Sequence, residues 1–558
     1  MEKQYNKIIK KISKSIPCVG FTVALFDNKE ILFKSNNGYI NKKKEIKTDD
    51  DSMFMIGSNT KVLTSLCLFL LIEQGKLSLD DDVRKYIPEL NIKSKFDYEK
   101  ITIRQMLMHR SGIQCDLYNL CLDNDREYHE IIKELENTYL TRKPGTMFAY
   151  SNNAYTLLGI VIERISGLPY VEFVEENIAK PLGIEIKFVV KDTVLSENMS
   201  LCFDKKQEET IDYVSTLLPA GTNTYMKIND LVKVGQLFLN EGKVGDKTFL
   251  KKETIDLMKE LKVDNEIDLT INNGGHGLLH NSVYYNDNIK VYGHGGDTFT
   301  HHSHFTFIPS YNVGIIVFTN TQNAIALPGA LAYAIMSKYL ISKGEKIKNI
   351  KPKYKYIDIE DKTKYEGVYA SSLGIQEFKV DSKNNLVSTI SGMKVKLLPC
   401  EDGYFQFYPN DTFIRNILMK KKVTSLRFKF INYYDEDVMV IEQIKGSQKA
   451  GIVFGTKYVD NIVTDSLWFK ALGEYEVTNV KYDNTKMALI LDENKRLKIA
   501  LDLIDEKVFK FLKIDNDNLS FSQGYGRDTK EAIHLEEKDG YYYLTCSGIV
   551  GKRKIEEK

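Results

Sequence analysis

The stretch from Phe54 to Gly75 confines the fold more than any other part of the chain. It reads Phe-Met-Ile-Gly-Ser-Asn-Thr-Lys, then Val-Leu-Thr-Ser-Leu-Cys-Leu-Phe-Leu-Leu-Ile-Glu-Gln-Gly. Val62, Leu63, Leu66, Leu70 and Leu71 recur at helical spacing, and Gly75 supplies a C-terminal stop. The spacing predicts a buried helix beginning at Ser58. A serine in that place commonly caps the helix by accepting a backbone N–H. Here Lys61 follows one turn later on the same face, at the dipole end where a second positive charge is disfavoured. In dry surroundings the lysine pKa falls and neutral amine becomes available near pH 7. A serine whose proton a neighbouring amine can take is an activated nucleophile.

The whole chain of 558 residues, 43% hydrophobic and 27% charged, exceeds what one core can organise, and its length implies about three or four domains. A formal net charge of +1 gives no basic field, so no nucleic-acid partner is expected. Seven cysteines at scattered positions without CxxC spacing read as reduced thiols, and the expected location is cytoplasmic. Tyr5, Ile8, Ile9 and Ile12 form one stripe among the lysines of the first fifteen residues, which suits a surface helix. No secretory apolar segment with a cleavage site follows it, and no run is long enough to span a bilayer, so no membrane partner is expected.

In chain order, Gly20 to Phe26 and Glu30 to Lys34 read as a hairpin, and Ile101 to His109 as a helix. A turn-rich loop from Lys143 to Asn153 leads into a helix over about Ala154 to Ser166, and Ile228 to Leu239 is helical again. Late strands are expected at Lys290–Tyr292, His304–Ile308 and Val313–Thr319, with a closing helix from about Pro328 to Leu340. These elements predict an α+β domain over residues 1–345 whose mainly antiparallel sheet joins the early hairpin to the late strands. Residues 346–364 are charged and read as a linker. Tyr365-Glu366-Gly367-Val368-Tyr369 and Leu472-Gly473-Glu474-Tyr475-Glu476-Val477 open alike. They mark two all-β, barrel-like modules, residues 365–460 and 461–558.

Three motifs gather chemistry. Ser58-x-x-Lys61 stands at a helix start, Tyr150-Ser151-Asn152 sits on a Pro-Gly loop before a buried helix, and Tyr292-Gly293-His294-Gly295-Gly296-Asp297 lies on a glycine-rich strand. Each alone is common. With Leu107-Met108-His109-Arg110-Ser111-Gly112 and Pro219-Ala220-Gly221 in the same order, the chain from about Ile16 to Leu340 resembles the serine β-lactamase and penicillin-binding-protein family. The likeness is to its class C β-lactamase, D-aminopeptidase and esterase branch. The resemblance implies a β-lactamase-like catalytic domain followed by two lipocalin-like barrels. It implies Ser58 as the nucleophile, Lys61 as its proton acceptor, and Tyr150 as partner base and leaving-group acid. The tyrosine would need positive charge nearby to lower its phenol pKa toward working pH.

It further implies that Asn152 hydrogen-bonds substrate and helps orient Lys61, that His294 contacts substrate or supports Tyr150, and that Gly296 contacts substrate beside an oxyanion hole built from the N–H groups of Ser58 and Asp297. Aspartate at 297 departs from the small or hydroxylated residue common there, and with His294, at a place where the family has Lys or His, standing instead of a permanent cation, this argues against efficient β-lactam hydrolysis. No cofactor and no metal is expected: His276 and His280 are separated by helix-breaking glycine, and His301, His302 and His304 alternate along a strand. The implied function is a serine hydrolase of a small peptide, amide or ester, with a homo-oligomer left open. Two alternatives stand beside it: a penicillin-binding sensor with little turnover, and a ligand-binding barrel protein with a vestigial catalytic domain.

Overall fold

The structure is a computed structural model. It describes the chain apart from residues 122–125, 190–192, 211–217, 222–223, 261–273, 281–284, 286–288, 348–353, 372–373, 391–392, 410–426, 446–447, 461–464, 481–484, 504–505 and 556–558. Six residues of the expected linker therefore lie outside the described residues.

The N-terminal part is built on an antiparallel sheet. Its strands run in the order Leu279–His280, Tyr292–Asp297, His302–Ile308, Val313–Thr319, Gly20–Phe26, Ile31–Asn41 and Ile46–Lys47. The early hairpin joins the late strands through pairs such as Val23 with Val317. Every residue of Gly20–Phe26 and of Val313–Thr319 is buried, because helices cover both faces. On one face Glu2–Ser15 and Leu327–Ser342 pack through Tyr5, Ile9, Leu331 and Ile335 onto Val23, Ile315 and Val317. On the other, Ala24, Phe26, Ile316 and Phe318 meet a helical layer containing Thr60–Glu73, Asn152–Ser166 and Ile228–Leu239. One described helix, Gln322–Ser342, is long and apolar enough to cross a membrane, contrary to the sequence expectation. It lies instead along the sheet, with Leu327, Leu331, Ile335, Met336 and Leu340 buried there.

Several boundaries move for identifiable reasons. The hairpin's second strand is longer than expected, Ile31–Asn41, because its polar residues Asn36 and Asn37 pair with the first strand just as well as apolar ones do. The strand expected to end at Tyr292 instead begins there, since its glycines pack close to neighbouring backbone. The helix from Asn152 begins two residues early because Ser151 caps it, its Oγ accepting from the Ala154 N–H at 2.9 Å.

Beyond residue 353 the chain forms two closed, eight-stranded antiparallel barrels. The first runs from Gly367 to Lys457 and closes by pairing Tyr369 with Lys457. The second runs from Gly473 to Lys554 and closes by pairing Glu476 with Lys552. Closure removes the free sheet edges that short modules would otherwise expose. Trp468 precedes the second barrel and plugs its core, fully buried, with Nε1 donating to the Asn516 carbonyl at 2.9 Å. Trp468→Ala is expected to cost about 3–5 kcal/mol of that barrel's stability through the cavity left behind. Denaturant unfolding followed by circular dichroism measures it, because the variant retains no tryptophan.

Candidate active site

Ser58 sits on a single 3-10 turn, Gly57–Asn59, between the buried strand Met53–Met55 and the helix Thr60–Glu73. It does not cap that helix: the N-cap position is Asn59, with no side-chain cap bond. The turn is pinned from the sheet. Ser303 Oγ donates to the Ile56 carbonyl at 2.6 Å and accepts from Asn59 Nδ2 at 2.7 Å. Gly57 has φ +52°, and a Cβ there would stand 2.8 Å from the Asp297 nitrogen. Only glycine allows the turn and the strand end to approach this closely. Gly296 presses against the Ile56 carbonyl in the same contact. The backbone of Asp297 is thereby brought beside the turn that carries Ser58.

Four of the expected residues converge. Lys61 is fully buried, and its Nζ lies 3.0 Å from Ser58 Oγ and 2.7 Å from Asn152 Oδ1. It also donates to the Ala220 carbonyl. The Tyr150 hydroxyl donates to Ser58 Oγ at 2.9 Å. Ser58 itself is half-buried, so the hydroxyl is reachable. Gly221, with φ +107°, lets the loop after Ala220 lie on the nucleophile's backbone: a Cβ there would be 2.8 Å from Ser58 Cα.

Tyr150 is held by His109, a residue that the sequence motifs include without giving it a role. The ring of His109 stacks on it with centroids 4.2 Å apart and planes at 29°. His109 adopts φ +55°, and its Nδ1 accepts from the Ser151 N–H at 3.1 Å, which places its own proton on Nε2. The His109 carbonyl accepts from the Ala149 N–H at 2.7 Å, so one residue holds both sides of the tyrosine.

Burial dominates the electrostatics. It pulls the Lys61 pKa down from 10.5 to about 7, with Asp116 opposing and Arg527 assisting. It pushes the Tyr150 phenol well above its ordinary value, although the Ser58 hydrogen bond and the Arg527 charge act the other way. The expected lowering of the phenol pKa is therefore corrected: desolvation of the phenol outweighs the Ser58 hydrogen bond and the Arg527 charge. Burial, helped by the Lys61 charge, takes His294 to about 3, so it is a neutral imidazole. Its Nδ1 contacts the Gly295 carbonyl, while the buried Nε2 has no hydrogen-bond partner among the described residues. Its ring lies 6.4 Å from that of Tyr150. The carboxylate of Asp297 accepts from His302 Nδ1 at 2.9 Å and is largely exposed.

Two further residues complete the cluster. Asp116 Oδ1 accepts from Asn152 Nδ2 at 2.7 Å, and its Oδ2 accepts from Arg527 Nε at 3.0 Å and Nη2 at 2.5 Å. Cys115, Asp116 and Asp528 are the one set among the described residues with metal-like proximity, but Asp116 is already engaged by the guanidinium. His276 Nδ1 is bonded to the Leu257 carbonyl at 2.8 Å. Asp116 and Arg527 are 411 residues apart, so no local spacing could have linked them.

The family model described as Beta-lactamase matches residues 6–339, which contain every residue of the cluster except Arg527. The chain is 29% identical over 183 residues to Protein flp of Staphylococcus aureus (strain N315), a match covering 32% of this chain and 37% of that protein's length. Among solved structures, SurE superposes with a TM-score of 0.59 at 18% identity, covering 81% of this chain and 99% of SurE. A second structure of that protein was determined with D-Leu, and it superposes with a TM-score of 0.58 at 17% identity. The octameric penicillin-binding protein homologue from Pyrococcus abyssi superposes with a TM-score of 0.54 at 20% identity, covering 82% of this chain and 99% of that one. At that coverage these likenesses reach past the sheet domain into the C-terminal part, and at such identities they describe the fold. The family match spans the turn of Ser58, the loop of Tyr150 and the strand of His294 together: the chain belongs to the Beta-lactamase family.

Proposed function

We propose that this protein is a serine hydrolase that cleaves a small peptide, amide or ester through an acyl-enzyme on Ser58. The observation that carries the reading is the bonding of Lys61. A neutral amine has two N–H donors and one lone pair. Two of the three Lys61 contacts, Asn152 Oδ1 and the Ala220 carbonyl, can only accept. With both donors spent there, the lone pair faces Ser58 Oγ at 3.0 Å. A pKa of about 7 leaves roughly half the amines neutral at pH 7.

In the proposed reaction Ser58 Oγ attacks the substrate carbonyl as its proton passes to Lys61 Nζ. The oxyanion forms between the backbone N–H groups of Ser58 and Asp297, where one such donor is commonly worth about 10²–10³ in turnover. Tyr150, kept protonated by burial, donates its proton to the departing nitrogen or oxygen, and its phenolate regains the proton held by Lys61, whose Nζ lies 5.0 Å from the centroid of its ring. This favours the acid half of the role expected for Tyr150 over the base half. Water then attacks the acyl group, and Ser58 leaves with a proton. Asn152 and His294 Nε2, which has no partner among the described residues, are the proposed polar contacts for substrate. The SurE structure with D-Leu supports a D-configured acyl donor by analogy of fold.

A panel of p-nitrophenyl esters, D- and L-amino-acid amides and a chromogenic cephalosporin tests the reading. The expected result is turnover of esters and D-amino-acid amides that exceeds turnover of the cephalosporin. A stable penicilloyl adduct on Ser58 with no turnover of any substrate would replace the hydrolase with a sensor.

A further inference from the structure

One loop of the second barrel, between its strands Leu519–Ser522 and Ala532–Lys538, packs against the catalytic domain beside Tyr150. Tyr525 donates through its hydroxyl to the Phe148 carbonyl at 3.3 Å, two residues before Tyr150. Asp528 Oδ2 accepts from the Tyr118 hydroxyl at 2.7 Å. Between them Arg527 reaches Asp116 with Nε and Nη2 on one carboxylate oxygen. A neighbouring turn of the same barrel adds a contact, the Ser547 carbonyl accepting from the Tyr118 N–H at 2.8 Å. Both turns rest on a buried base inside the barrel, where Lys510 Nζ lies 2.6 Å from Glu531 Oε2 and 2.6 Å from Ser547 Oγ. A loop anchored at its Glu531 end by a buried ion pair presents its arginine in a defined place.

Asp116 sits where its charge has consequences. An amide has one accepting end and one donating end. A carboxylate opposite Asn152 can only receive the Nδ2 end, which turns Oδ1 toward Lys61. Asp116 is 3% exposed in its side chain, and a carboxylate so buried stays ionised only with a partner. Burial alone would raise its pKa, yet the Arg527 charge, with hydrogen bonds from Asn152 and Cys115, holds it below the ordinary value. We propose that Arg527, carried by the second barrel, is a positioning residue of the Ser58 site: it holds Asp116 ionised and, through it, fixes Asn152 in the orientation that leaves Lys61 free to accept the Ser58 proton. The barrel thus completes the catalytic cluster. This rests on Ser58 being the nucleophile.

The groups facing Lys61 are Ser58 on its own segment, Asn152, Tyr150 and Tyr155 from the following loop and helix, His109 and His294, and the Cys115, Asp116 and Arg527 cluster. Burial keeps the two histidines, the tyrosines and Cys115 in their neutral forms, so Asp116 and Arg527 are the two fixed charges. They act oppositely: Asp116 raises the Lys61 pKa and Arg527 lowers it.

The test is the rate of Ser58 phosphonylation by a fluorophosphonate, read by intact mass between about pH 5 and 10. Labelling requires no turnover. Without the guanidinium, buried Asp116 should take up a proton, so Arg527→Gln and Asp116→Asn should each lose the carboxylate that orients Asn152 and label more slowly, by about tenfold or more near pH 7. Arg527→Gln should recover toward the wild-type rate as rising pH ionises Asp116, whereas Asp116→Asn, with nothing there to ionise, should not. The double variant should match Asp116→Asn, and Arg527→Lys should label as the wild type does. A merely structural role would lower the Arg527→Gln rate equally at every pH. A wild-type profile for Arg527→Gln, or a loss that no rise in pH relieves, overturns the proposal. If Arg527→Gln does not fold by circular dichroism, the double variant compared with Asp116→Asn decides: equal rates support the proposal, and a further loss overturns it. Failure of Ser58 to label in the wild type overturns both this proposal and the hydrolase reading. Labelling that follows the expected pattern without turnover of any substrate overturns only the latter.

Discussion

Ser58→Ala is expected to lower kcat/KM toward a p-nitrophenyl ester by at least about 10⁴-fold, leaving a residual rate due to binding and the oxyanion hole. The size follows from the geometry. Lys61 Nζ and the Tyr150 hydroxyl both bond to one oxygen, Ser58 Oγ, so its removal strips both partners of the atom they serve. The groups act as a unit, and losses in such a unit are not additive. Combining Ser58→Ala with Lys61→Met should therefore cost hardly more than Ser58→Ala alone. Stability should change little, because Ser58 is half-buried and does not cap the helix. Steady-state kinetics paired with thermal unfolding measure both halves. Unchanged hydrolysis by Ser58→Ala would move the chemistry elsewhere in the molecule.

The second large effect concerns the base. Lys61→Met should slow acylation of Ser58 by about 10²–10⁴-fold, the range over which a positioned general base contributes. Lys61→Arg should do no better, even though it keeps a positive charge. A guanidinium stays protonated at any working pH, so it offers Ser58 no lone pair. The two variants separate a base from a charge that merely steadies the site. Rescue of acylation by arginine would show that Lys61 acts through its charge. The helix itself tolerates methionine, since Lys61 lies in an interior of Val62, Leu63, Thr64 and Leu66 with no exposed surface.

How much of this can be read from the chain depends on range. Lys61 is three residues from Ser58, and a helical turn alone brings the pair together. The Tyr150 loop is 92 residues away, but its Pro-Gly turn before an apolar helix marks the place. The sheet is legible for the same reason: Gly20–Phe26 and Val313–Thr319 are unbroken apolar runs, as strands covered on both faces must be. Barrels are legible from the two similar openings at Tyr365 and Leu472, although closure is a long-range pairing that no local pattern states. What stays hidden are contacts with no local signature. His109 holds Tyr150 through a positive φ and a stacked ring, neither of which composition reveals. Arg527 lies in a barrel, far along the chain from every element of the sheet domain. The Tyr150 phenol departs from expectation because desolvation outweighs the nearby positive charge, and desolvation depends on how densely the fold packs around a side chain.

The central claim is that a neutral Lys61 amine takes the proton from Ser58. Its direct measure is the pH dependence of single-turnover acylation of Ser58 by an activated ester between about pH 5 and 10. A lysine lowered to about 7 is increasingly protonated below that pH, so the rate should fall tenfold per unit there and level off above. A limb near the ordinary lysine value, or a rate that stays flat through the acid range, would contradict it.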